Sequence, residues 1–129
     1  MKKSWISYTE DWKSSPMAFW VHKEVDKKPW YVAEKFDPPA PKKHGSLGYV
    51  KLHIEFNGFK FIFTSQEQLN EFIEILGQKL LPTTIELSKK RSATAGPNGH
   101  WLSRMPPKSK SWKYREKLVE YCKKQSFPK

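Results

Sequence analysis

Hydrophobic and polar positions alternate most regularly between Tyr49 and Thr64. Tyr49-Val50-Lys51-Leu52-His53-Ile54-Glu55-Phe56 and Phe59-Lys60-Phe61-Ile62-Phe63-Thr64 both read with a period of two and are separated by Asn57-Gly58. This dipeptide suits a two-residue type I′ turn, whose central residues both need positive φ. Such a turn sets Phe56 opposite Phe59, Ile54 opposite Phe61 and Leu52 opposite Phe63, with all six side chains on one face. On the other face Glu55 meets Lys60, an opposite-charge pair.

The period changes directly afterwards. Ser65-Gln66-Glu67-Gln68 is a capping box, and Leu69, Phe72, Ile73, Leu76 and Leu80 recur at helical spacing, so an amphipathic helix is expected from Gln66 to Leu80. Pro82 stops it, and Thr83–Leu87 reads as a short edge strand. Before the hairpin, Ala18–His22 and Trp30–Phe36 are rich in strand formers and flank a charged turn, which predicts a second hairpin. Trp5, Tyr8 and Trp12, spaced by three and four, read either as a short helical face or as an arm laid across the body. Asp37–Gly45 holds three prolines and reads as a stiff polyproline-type connector. Residues 88–107 show no periodicity. A last helix is expected from Ser109 or Ser111 to about Lys124, burying Tyr114, Leu118, Tyr121 and Cys122.

These elements amount to one α+β domain over residues 1–129. An antiparallel sheet of four to five strands, centred on the Asn-Gly hairpin, is covered by one amphipathic helix. Residues 89–129 form a basic loop and helix extension. With 15% aromatic residues, a core is possible despite a hydrophobic content of only 37%.

Charge sharpens this picture. Residues 1–88 carry 12 basic and 11 acidic side chains, whereas residues 89–129 carry 12 basic and only two acidic ones, Glu116 and Glu120. Nearly all of the net charge of +11 therefore lies in the last third, which predicts an anionic partner there. Lys89, Lys90, Arg91, His100, Arg104, Lys108, Lys110, Trp112, Lys113, Arg115 and Lys117 mix cations with aromatic rings. Nucleic-acid binders use that mixture to neutralise phosphates and stack bases. The expected function is non-catalytic binding of RNA or DNA. A protein-binding or inhibitory module, a homodimer or a blocker of an acidic target that uses a sheet edge, is the alternative from another class.

Reaction chemistry is sparse. His22, His44, His53 and His100 have no metal-ligand spacing, and neither a phosphate-binding glycine loop nor a nucleophile elbow is present. His53 and His100, with Lys51, Arg104 or Arg115, would suit at most a small metal-independent ribonuclease. Cys122, the only cysteine, falls on the apolar stripe of the last helix and is expected to be buried and inert. No cofactor is expected. No run is long and apolar enough to span a membrane, so the cytoplasm is the expected compartment.

Overall fold

The computed structural model describes residues 2–82, 101–102 and 105–127. It is α+β, with a three-stranded antiparallel sheet, a separate two-stranded sheet and three α-helices among those residues. The larger sheet joins β1 (Lys2–Thr9), β4 (Tyr49–Phe56) and β5 (Phe59–Phe63) in the order β1-β4-β5. The smaller pairs β2 (Lys23–Glu24) with β3 (Phe36–Asp37). The helices are α1 (Ala18–Val21), α2 (Gln66–Leu76) and α3 (Trp112–Lys123). No helix among the described residues is long and apolar enough to cross a membrane.

β4 and β5 meet across Asn57 and Gly58, whose φ angles of 49° and 90° are both left-handed. Phe56 faces Phe59, Ile54 faces Phe61 and Leu52 faces Phe63. β4 is the central strand because it also pairs over its whole length with β1, Ile6 opposite Leu52 and Trp5 opposite His53. Its inward side chains Val50, Leu52, Ile54 and Phe56 are all buried. Leu69, Phe72, Ile75 and Leu76 of α2 and Leu118, Val119 and Cys122 of α3 complete this core, together with Trp101, Leu102 and Met105. Each fully buried leucine or phenylalanine contributes about 1.5–3 kcal/mol.

Several expectations are corrected. Ala18–Val21 is helical rather than extended. The amides of Trp20 and Val21 bond to the Met17 carbonyl, and this turn sends Ala18, Val21 and His22 inward. Packing overrides the strand propensity of these residues. Trp30–Lys35 is not a strand either: the amides of Val32 and Ala33 both bond to Pro29, and Lys13 Nζ takes the carbonyls of Trp30 and Ala33 at 2.7 and 3.0 Å. Those carbonyls are thereby removed from any ladder. The result is a second, aromatic cluster of Trp12, Ala18, Ala33 and Phe36, packed against Trp30 and Tyr49. Among the described residues the larger sheet therefore has three strands, where four or five are expected. The N-terminal segment is a strand and not a helix, since Lys2–Thr9 finds its hydrogen bonds on β4. The possible strand at 83–87 lies outside the described residues.

α2 begins where Ser65 Oγ accepts from the Gln68 amide at 3.2 Å, but it ends at Leu76, four residues before the expected stop. The cause is Arg115. This buried side chain, 3% exposed, donates from Nη1 to the carbonyls of Leu76 (3.0 Å) and Gln78 (2.6 Å) and from Nη2 to that of Lys79 (3.0 Å). Its Nε donates to the Lys110 carbonyl at 2.8 Å. A helix leaves its last carbonyls unpaired, and a cation at that end also favours the dipole. One guanidinium meets both needs, and Leu80 beyond it is left 87% exposed.

His22 provides a second buried polar link. Its Nδ1 donates to the Pro38 carbonyl at 2.9 Å, so the neutral ring can accept at Nε2 from the Ser65 hydroxyl at 2.8 Å. Burial holds the His22 pKa below its usual 6.5, although the Pro38 bond and the charge of Glu67 push the other way.

Two measurements check these links. Arg115→Lys keeps the charge but cannot span four carbonyls, so chemical denaturation should show a loss of about 2–4 kcal/mol. Stability equal to wild type would show that the carbonyls do not depend on the fork. For His22, the unfolded chain binds the extra proton below pH 6.5 while the folded chain resists it, so stability is present at higher pH and is lost on acidification. The urea midpoint should fall between about pH 7.5 and 5.5, and His22→Gln should flatten that fall. His53, shifted in the same direction, supplies the remainder. An unchanged slope in His22→Gln would contradict the buried neutral ring.

Candidate nucleic-acid interface

The basic segment is organised by its turn chemistry. Pro107–Lys110 is a 3-10 turn in which the Ser109 amide and hydroxyl both bond to the Pro106 carbonyl, at 2.9 and 2.6 Å. Ser111 then caps α3, its Oγ accepting from the Tyr114 amide at 3.3 Å. The two turns form an elbow, and the Nε of Arg115 ties its inner side to Lys110. Lys108 and Lys113 are exposed on the outside of this elbow, and Lys110 is half-buried beside them. The first turn of α3 adds the positive end of the helix dipole to the same place.

Further along α3 the charge is mixed. Lys113, Glu116, Lys117, Glu120 and Lys123 are all exposed, and Lys123 approaches Glu120 at 4.0 Å. Cationic potential is therefore concentrated at the elbow and not along the helix. Lys2, from the start of β1, joins Lys117 and Lys124 around the cleft that Glu116, Glu120 and Tyr121 also line.

The expected site residues separate into three groups. Lys108, Lys110 and Lys113 are together at the elbow, where the half-buried Trp112 joins them, and Lys117 lies further along α3 in the cleft with Lys2 and Lys124. The Trp112 ring lies 5.1 Å from the Arg115 guanidinium carbon, so it supports the elbow as well as lining it. Arg115 is interior, with its donors committed to carbonyls, and cannot also hold a phosphate in this arrangement. Lys89, Lys90, Arg91, His100 and Arg104 lie outside the described residues.

The histidines occupy unlike environments. His22 is interior, His44 packs edge-on to Tyr8, and His53 stands on the outer face of the large sheet. Burial and the charge of Lys51 lower the His53 pKa, and its Nε2 shares a 2.7 Å hydrogen bond with Ser7 Oγ. Tyr114, whose hydroxyl donates to the Phe56 carbonyl, has its pKa raised by burial to about 12. Among the described residues, no group of three or more His, Cys, Asp or Glu is placed to hold a metal ion.

One basic and aromatic surface escaped the sequence reading. The spacing of Trp5 to Tyr8 and Trp12 suggests a helical face or an arm, but as a strand residue Trp5 shares the outer face of the sheet with Lys3, Lys51, His53 and Lys60. The signal was the alternation of Lys2–Thr9, which is a strand pattern once a partner strand is supplied.

No family model, curated protein or solved structure matches this chain.

Cys122 is fully buried, and burial pushes its thiol up to about 12. It should react with a thiol reagent slowly in the native protein and quickly after denaturation. Fast labelling of the folded protein would place a reactive nucleophile within α3 and contradict the packed interior described here.

Proposed function

We propose that this protein binds nucleic acid without catalysis, through its basic C-terminal third. The observation that carries this reading is the charge distribution. Residues 89–129 hold 12 of the 24 basic side chains with only two acidic ones, while the preceding 88 residues are close to neutral. The elbow supports it, since Lys108, Lys110 and Lys113 project from a short, internally bonded turn rather than from an unbraced chain. Cations held in that way lose little further conformational freedom when they meet phosphates. RNA and DNA share this chemistry, and the cytoplasm, where a lone buried thiol stays reduced, suits either.

A second reading has its own observation. β1 is an eight-residue edge strand on which Trp5, Ile6 and Tyr8 are 39%, 37% and 40% exposed. An edge strand of that length with exposed Trp5, Ile6 and Tyr8 is a template for strand addition by another chain, including a second copy.

Salt dependence separates the two. If the segment meets about four to six phosphates, log affinity for duplex DNA should fall against log salt by about 0.9 per contact. Replacing Lys108, Lys110 and Lys113 with alanine should flatten the slope by up to about three contacts. Melting temperature should barely change, because exposed charges contribute little to folding. Absence of binding to any nucleic acid at low salt would overturn the proposal in favour of the strand-edge reading.

A further inference from the structure

The large sheet buries one face under α2 and α3 and leaves the other without a covering helix among the described residues. On that outer face the Trp5 ring stacks on His53, with centroids 4.9 Å apart and planes within 6°. Trp5 belongs to the edge strand and His53 to the central one. The imidazole therefore covers the inboard face of the indole, and the other face looks outward past the last strand. Trp5 is 39% exposed. The Ser7 hydrogen bond at 2.7 Å fixes the His53 ring in this pose, so the stack is organised before any partner arrives.

Charge around the stack is mainly positive. Lys51 lies beside His53 on β4, and Lys60 is exposed on β5. The acidic side chain on this part of the face, Glu55, is already held by Lys3 at 3.4 Å. Lys3 also places its ammonium 5.2 Å from the centre of the Trp5 ring. That contact is an exposed cation–π pair, weaker than a stacked base.

We infer that this outer face is a second site, one that binds single-stranded nucleic acid by adding an unpaired base to the Trp5–His53 stack. Lys51 and Lys60 meet the adjoining phosphates, while Lys3 stays with Glu55. A base in a duplex has both faces occupied by its neighbours and cannot enter the stack, so the site selects single strands. A protein partner fits less well, because this chemistry combines a flat aromatic layer with lysines and one acidic group that is already neutralised. The site is separate from the elbow, and its failure would leave the C-terminal reading standing.

Fluorescence anisotropy with oligouridylate and oligothymidylate of about ten nucleotides, and with a duplex of equal length, tests this. Trp5→Ala should weaken binding of single strands by ~5- to 150-fold while changing duplex binding by less than about twofold. Replacing Lys51 and Lys60 with alanine should lower the single-strand salt slope by up to about two contacts. The triple change of Lys108, Lys110 and Lys113 should instead weaken duplex binding. Single-strand affinity in Trp5→Ala equal to wild type would overturn the inference. So would a fall from dimer to monomer mass in Trp5→Ala with binding unchanged, which would assign the strand edge to a second copy. If Trp5→Ala does not fold, photo-crosslinking of wild-type protein to an iodouridine-containing strand decides the matter. Adducts on Trp5 or His53 support the site, and adducts confined to residues 83–129 overturn it.

Discussion

The guanidinium of Arg115 is the contact on which the arrangement of the helices depends. Its four hydrogen bonds reach the end of α2, the turn that follows it and the elbow before α3. Unpaired buried carbonyls cost about 1–3 kcal/mol each, and a buried cation without partners costs more. Each group therefore stabilises the other. The same interaction fixes where α2 stops. Gly77 assists there, because a Cβ at that position would approach the Ile73 carbonyl oxygen to 2.8 Å.

This role gives the basic segment two kinds of cation. Arg115 is structural: buried, surrounded by carbonyls and covered by the Trp112 ring. Lys108 and Lys113 are outside, and the elbow that displays them is held by Arg115 through Lys110. Counting charge along the chain cannot tell these apart. Arginine suits the inner place, since its planar fork aims donors at several acceptors at once, whereas a lysine ammonium is better placed in water.

Local chemistry made part of the fold legible. Both long helices start at a serine whose hydroxyl accepts an amide three residues on, Ser65 for α2 and Ser111 for α3. The α+β class and an antiparallel arrangement follow from the change of period around Thr64. What stayed hidden depends on distant partners. Lys2–Thr9 needs β4, more than 40 residues away, before its alternation has a meaning. Ala18–Val21 is helical, with the His22 that follows it pinned between Pro38 and Ser65. In the same way Arg115 reads as a surface cation until the carbonyls of Leu76, Gln78 and Lys79 are placed around it. On the outer sheet face, Trp5 and His53 are separated by 48 positions in the chain, so their stack is a product of register.

On the proposed reading the lysines of the elbow meet phosphates while Arg115 stays with its carbonyls. An NMR titration of isotopically labelled protein with short nucleic acids at low salt tests this directly. Progressive shifts are expected at the amides of residues 108–113, reversed by added salt, with the Arg115 Nε–H resonance unmoved. Shifts at Arg115 Nε–H with the elbow lysines silent, or no shifts at all, would contradict that reading.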